Sequence, residues 1–353
     1  MESDQAIDTE EGSGFMSKVA ARLPWFGPGK FPLYLAPMAR HTDVAFRQLC
    51  KEQGADVMVT EFVQSEALIR DNAKAWEMVD FTETQRPMGV QIFGATPKSM
   101  AKAARLVCDR VKPDFLDLNF GCPAHKVIEQ NAGSGLLRCT PLLYDLVKAV
   151  KDAIPDVPLT AKMRLGWDHS TIVAVEVAQR LEALGVEAIA VHGRTKEQGY
   201  SGEANWDWIS QVAAAVNVPV IGNGDVKDWE SAHRRIKESG VSGLMIGRAA
   251  LSNPWIFSAI KANLLGDNKN MPVITAQHRW DVIIRLAELT IEVHASRLGA
   301  RNIKWMLGRL HPLTHGLPVS RKVRDRLRSC ETIDDLRRLR DEHLAESCVT
   351  KSC

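Results

Sequence analysis

The chain has 353 residues, 45% of them hydrophobic and 25% charged, with a net charge of +2. That length can bury a large core and supports one big domain plus a smaller one, and the ordinary composition excludes a low-complexity or fibrous chain. No apolar run approaches the ~20 residues of a membrane helix, and the acidic start, residues 1–14, lacks the basic and apolar profile of a secretory signal. A cytoplasmic location is expected.

Residues 1–30 are polar and glycine-rich and end in Pro24-Trp25-Phe26-Gly27-Pro28-Gly29. They read as a mobile extension with a candidate short helix at 16–23. From Phe31 short β-branched runs alternate with helical patterns. Strands are predicted at 33–38, 57–63, 88–94, 115–120, 159–163, 188–191, 218–221 and 243–246, with helices between them such as 98–111, 171–184 and 229–238. This alternation predicts an α/β fold, a (β/α)8 TIM barrel over residues 31–265. Beyond Pro254 the periodicity is helical only, which predicts a C-terminal all-helical domain at 270–346.

Seven cysteines show no CxxC pair and no zinc spacing, so reduced thiols and no metal are expected, with Cys50, Cys108 and Cys139 as plain small hydrophobes. The charge is uneven. Residues 297–328 hold nine Lys/Arg (among them Arg301, Lys304, Arg309, Arg321, Lys322 and Arg324) against Asp325 alone, a segment of +8 in a chain that is otherwise −6. Such asymmetry suggests a polyanionic partner for the C-terminal part. Trp206 and Trp208 read as helix-packing residues, Trp305 as an anchor or a stacking ring, and His125 and His169 stay unassigned.

Barrel active sites lie at the carboxyl ends of the strands. Those ends carry polar residues out of keeping with apolar strands: Ala36-Pro37-Met38-Ala39, Thr60-Glu61, Gln91, Asn119-Phe120-Gly121-Cys122-Pro123, Lys162-Met163-Arg164, His192-Gly193-Arg194, Asn223-Gly224-Asp225 and Gly247-Arg248. After the seventh and eighth strands, Gly222-Asn223-Gly224 and Gly247-Arg248 have the composition of a phosphate site. Lys162 and His192 share the mouth, where a cation can stabilise the N1–C2=O edge of a reduced isoalloxazine and Gln91 can bond its pyrimidine ring. A phosphate site beside a flat, polar-edged ring describes FMN.

Six segments resemble the dihydrouridine synthases: Ala36-Pro37-Met38, Leu118-Asn119-Phe120-Gly121-Cys122-Pro123, residues 162–168 (Lys-Met-Arg-Leu-Gly-Trp-Asp), 191–200 (Val-His-Gly-Arg-Thr-Lys-Glu-Gln-Gly-Tyr), 221–225 (Ile-Gly-Asn-Gly-Asp) and Met245-Ile246-Gly247-Arg248. They run in family order over residues 33 to 260, and the helical appendage is similar too. The resemblance implies an enzyme that uses FMN, reduced by NADPH, to saturate the C5–C6 bond of a specific uridine in tRNA. It implies flavin contacts from Pro37, Met38, Ala39, Gln91, Lys162, His192, Asn223, Gly224, Asp225, Gly247 and Arg248, Cys122 as general acid, and Asn119 and Arg164 beside the uracil. In the first loop Arg40-His41-Thr42-Asp43 stands where Gly-Val-Thr-Asp is expected. Residues 60–63, 165–168 and 192–200 resemble the bacterial class acting on position 16, while 121–137 and 253–255 resemble another.

Uracil C5–C6 is an electron-poor enone, so hydride addition at C6 calls for a proton at C5. A thiol with a pKa near ~8.5 stays protonated to give it, unlike the low-pKa thiolate of a nucleophilic cysteine. The base must be flipped out of folded RNA, and Arg301, Lys304, Arg321, Lys322 and Arg324 are expected to grip that RNA. Nothing demands more than a monomer. Two other readings are a barrel oxidoreductase of a small pyrimidine, similar to dihydroorotate dehydrogenases, and a non-catalytic RNA-binding protein on the same scaffold.

Overall fold

In the computed structural model, residues 21–266, 273–298 and 303–349 are described. Strands β1 (Leu33–Leu35), β2 (Met58–Val59), β3 (Val63–Gln64), β4 (Met88–Phe93), β5 (Phe115–Phe120), β6 (Leu159–Arg164), β7 (Ala188–His192), β8 (Val220–Asn223) and β9 (Gly243–Ile246) pair in parallel in the order β1-β9-β8-β7-β6-β5-β4-β2, with β3 also on β4. A bridge between Tyr34 and Val57 closes the ring, so the predicted barrel is correct.

The second predicted strand is split. Val59 faces Gly89 and Val63 faces Ile92, so one extra residue bulges out between them. The Thr60 hydroxyl causes it by accepting from the Gln91 N–H at 3.1 Å, replacing a ladder carbonyl. The bulge delivers Glu61 to the first loop and Phe62 to the mouth.

Outside the ring run helices α1 (Val44–Glu52), α2 (Pro97–Val111), α3 (Thr140–Ala153), α4 (Ala174–Ala183), α5 (Trp206–Ala215), α6 (Trp229–Ser239) and α7 (Ile256–Leu264). Their ends follow local chemistry. Proline opens α2, while α6 starts in a capping box of Asp228 and Ser231 and stops at left-handed Gly240. Helix α4 starts three residues later than expected because Ile172 bridges Gly166 and the Val173 N–H bonds Leu165 O, holding the chain extended. Trp206 packs as expected, its indole N–H on Gly224 O at 3.0 Å.

The segment read as mobile departs from expectation over its final third. Leu23, Trp25 and Phe26 are buried among Tyr34, Val57, Val59, Phe115, Ala188, Ala190, Ile221 and Met245, and so join the barrel's inner cluster. The Trp25 indole donates to the Tyr34 hydroxyl at 2.5 Å. Aromatic burial outweighs the turn-forming Gly and Pro around it. The candidate helix at 16–23 lies mostly outside the described residues.

After α7 come α8 (Ala276–Leu298), α9 (Ser320–Leu327) and α10 (Ile333–Val349), with short turns between; among the described residues no strand follows Ile246. One apolar cluster runs unbroken from the barrel helices into this part, through Trp255, Trp280, Ile283 and Leu310. No described helix is long and apolar enough to cross a membrane. Ion pairs join the two parts: Arg285 to Glu52 at 2.8 Å, and Arg309 to Asp43, which also caps α1 through the Phe46 N–H. Burial alone would raise the Asp43 carboxyl, but bonds from His294 and Arg309, with the Arg309 charge, hold it well below the usual range. Arg309→Met is expected to cost about 2 kcal/mol, since it strands a half-buried carboxylate. A guanidinium-denaturation midpoint equal to that of the parent would refute this.

Candidate active site

Polar side chains at alternate positions of the inner strand faces converge on the carboxyl end of the barrel. Asp117 and Asn119 come from β5, Thr160, Lys162 and Arg164 from β6, and Gln91 from β4. Gln91, Asn119, Lys162 and Arg164 border a cavity of about 1120 Å³, with Asp117 and Thr160 one layer beneath them. It also receives Pro37, Met38, Ala39, Cys122, His192, Asn223, Gly224, Asp225, Gly247 and Arg248, so every predicted catalytic and cofactor residue, with Asn119 and Arg164, lines one space.

Cys122 sits in an apolar wall with Phe93, Val127 and Ala132, backed by Phe62 and Ala95. Burial pushes its thiol up, only partly offset by the Ala124 N–H and the charges of Arg164 and Lys162, so it is neutral at pH 7. Its turn is held from several sides. Asn119 Oδ1 accepts from the Gly121 N–H at 3.1 Å and the Cys122 N–H at 2.8 Å, and the Ser134 hydroxyl donates to Cys122 O at 2.8 Å.

A buried chain of bonds orients Asn119. Its amide donates to Gln91 Oε1 at 2.7 Å, Gln91 donates to Asp117 at 2.5 Å, and Thr160 donates to the other Asp117 oxygen at 2.6 Å. Because a carboxylate only accepts, Asp117 fixes which way both amides face. Burial raises the Asp117 carboxyl to about 6, against the bonds from Thr160 and Gln91. A carboxyl raised above its unfolded value favours folding at low pH, and that contribution is lost as pH climbs through about 6. Asp117→Asn, whose oxygen can keep the Gln91 bond while its NH2 donates to a Thr160 hydroxyl turned toward Leu116 O, is therefore expected to flatten the fall in stability between about pH 4 and 6. Urea midpoints across that window test it; an unchanged slope would sink it.

Lys162 puts an ammonium on the cavity wall, beside the guanidiniums of Arg164, Arg194 and Arg248. Its ammonium bonds only Asn223 Oδ1, at 3.3 Å, and no carboxylate lies within ion-pair range among the described residues. Burial, then the charge of Arg164, lowers it to about 8, so it remains mostly charged at pH 7. His192 adds no further cation: burial and then Lys162, Arg164, Arg194 and Arg248 drive its pKa well below 6.5. The Arg194 guanidinium, which can only donate, lies 3.4 Å from His192 Nε2, so the ring proton belongs on Nδ1.

Arg164 is fully buried and clips backbone, donating to Gly121 O at 2.9 Å and to Thr195 O and Gly199 O at 2.8 Å. It ties the cysteine turn to the loop after β7 while still lining the cavity. The Asp225 carboxylate is likewise committed, to Arg194 at 2.7 Å and the Ala204 N–H at 2.7 Å. Beside it Gly224 has φ +127, and an added Cβ would lie 2.5 Å from Ala204 Cβ. Only glycine serves there, and the strand end stays open to an anion next to the half-exposed Arg248. A phosphate at Gly224, Gly247 and Arg248 and an electron-rich ring edge at Lys162 fit these donors, so the residues present fit FMN.

Sequence reasoning missed Asp117, Thr160, Arg194 and Tyr200. Period-two spacing with Asn119 and Lys162 could have found the first two. Tyr200 is 58% exposed at the rim, with Arg248 4.6 Å and Arg164 5.6 Å over its ring. None of the described C-terminal cations lines the cavity. Lys304 pairs with Glu331 at 2.5 Å and Arg326 with Glu342 and Glu346, whereas Arg321, Lys322 and Arg324 on α9 have no carboxylate in range among the described residues. Arg301 lies outside the described residues.

Fold and site together define a barrel enzyme working at the carboxyl ends of its strands. The profile of the family Dihydrouridine synthase (Dus) matches residues 34–349, and the chain belongs to that family. It is 35% identical to a probable tRNA-dihydrouridine synthase of Aquifex aeolicus (strain VF5), covering 87% of this chain and 94% of the relative. It is 38% identical to tRNA-dihydrouridine synthase B of Pseudomonas syringae pv. tomato, over 79% of this chain and 83% of the relative. Histamine dehydrogenase from Rhizobium sp. 4-9 shares the fold, with a TM-score of 0.53 at 12% identity over 73% of this chain and 48% of that one. The names of these relatives state no uridine position, and three loop stretches alone favour position 16.

Proposed function

We propose that this chain reduces one D-loop uridine of tRNA to 5,6-dihydrouridine, using FMN recharged by NADPH, with Cys122 as the proton donor. The observation that carries it is a neutral, apolar-walled thiol sharing one cavity with a half-buried lysine that has no carboxylate partner among the described residues. When bound, FMN would supply hydride to C6 of the uracil. Gly224, Gly247 and Arg248 would hold its phosphate, with Pro37, Met38, Ala39, Asn223, Asp225 and His192 around it. Gln91 and Lys162 would meet its ring edge.

The protein's own part is positional and protonic. Asn119 holds the Cys122 turn, keeping Sγ where C5 must take its proton, and the surrounding phenylalanines keep water from that thiol. Charge gathering on the uracil as hydride arrives is met by Lys162 and by the buried Arg164. Tyr200 offers an aromatic face at the rim for a base leaving its stack. Arg321, Lys322 and Arg324 supply exposed or half-exposed charge for the tRNA backbone, so affinity should fall steeply with salt. The enzyme would act as a cytoplasmic monomer.

The test is to map dihydrouridine by mass spectrometry in tRNA from a strain lacking this gene and from its complement. Loss and recovery at a single D-loop uridine is expected, with position 16 favoured by the mouth loops. Another D-loop position would keep the activity and reject that assignment. Turnover of free uracil or dihydroorotate, or a colourless purified protein, would overturn the reading.

A further inference from the structure

The loop after β1 carries an arginine where its backbone asks for glycine. Met38 O accepts from the His41 N–H and the Thr42 N–H, both at 3.0 Å, and the buried Thr42 hydroxyl bonds the Met38 N–H at 2.8 Å. The turn is thus fixed by residues on either side of Arg40, whose φ is +67. Its own N–H is pinned to Glu61 Oε2 at 3.0 Å. A left-handed residue third in such a turn favours glycine, and an L side chain there is strained.

Among the described residues no side-chain partner of Arg40 repays that strain. The Arg40 side chain is exposed, and among the described residues no carboxylate or aromatic ring lies in range of its guanidinium. Its neighbours Ala39 and His41 line the cavity, so Arg40 stands on the lip of the mouth. Lys227 also reaches that lip, but from a backbone conformation that costs nothing. A non-glycine residue held left-handed at a site's edge points to a use outside the fold.

We propose that Arg40 is a binding contact for the RNA backbone, holding a phosphate that flanks the uridine drawn into the mouth. The inference rests on the reading of tRNA as substrate. A flipped nucleotide stays joined to the strand on both sides, so its flanking phosphates must cross the lip. There a planar, permanently charged guanidinium can bind two phosphate oxygens at once.

Glycine is the informative replacement, because it removes the charge and relieves the backbone together. Arg40→Gly should melt at the same temperature as the parent or higher. Its KM for a tRNA transcript should rise about tenfold while kcat changes less than about threefold, and the slope of log KM against log salt should become shallower by about one. Arg40→Lys, which keeps the charge but not the two-oxygen fork, should keep the parental salt slope with a KM between those of the parent and the glycine variant. A parental KM and salt slope in Arg40→Gly would overturn the proposal, as would a lower melting temperature or a lysine variant as impaired as the glycine one. If the parent enzyme itself leaves tRNA unreduced, the proposed function fails. Parental turnover with an unaffected glycine variant rejects only the role of Arg40.

Discussion

Cys122→Ala is expected to bind flavin and accept electrons from NADPH as the parent does, yet to reduce tRNA about 10²–10⁴-fold more slowly. The thiol lies in an apolar wall of Phe93, Val127 and Ala132, so alanine leaves the wall dry and the fold intact. What goes is the proton at the end of a turn held by Asn119 and Ser134. The readout is anaerobic oxidation of the pre-reduced enzyme by tRNA, which isolates this step from recharging. Cys122→Ser should be nearly as slow, because an alkoxide is a far poorer leaving base than a thiolate. Parental rates in either variant would remove Cys122 from the chemistry.

Lys162→Met should act on the other half of the cycle. Methionine matches the volume of the stem but removes the cavity's ammonium, whose one described hydrogen bond is to Asn223. His192 cannot replace it, being held neutral by burial and by the surrounding positive charge. The variant should retain flavin less firmly and lose about 10- to 100-fold in its rate of reduction by NADPH, with a more negative flavin potential. An unchanged potential would place Lys162 away from the ring.

The barrel could be read from the chain because eight apolar runs alternate with helices, a local signal. The split of the second strand could not, since it arises from one hydroxyl, Thr60, taking a neighbour's N–H. The site was legible as polar residues on apolar strands, but their division of labour was not. Whether an arginine meets a ligand or a carbonyl depends on loops distant in sequence, and Arg164 meets Gly121, Thr195 and Gly199. The basic segment was legible in sum but not residue by residue, for the same reason. Counting charge along residues 297–328 overlooks Asp43, Glu331 and Glu342, which neutralise Arg309, Lys304 and Arg326 across the fold.

The apolar cluster shared by the barrel helices and α8 bears on how such enzymes can be recombined. Trp255, Phe257 and Ile260 on the barrel side, and Trp280, Ile283 and Ala287 on α8, are buried in one continuous mass. The two parts are therefore not interchangeable cassettes. A chimaera that borrows another relative's helical end to redirect the enzyme to a different uridine must bring matching apolar contours, and partners for Asp43 and Glu52 as well. Grafts drawn at the chain boundary near Gly266 should aggregate, while grafts that include α1 and α7 with the helical end should fold.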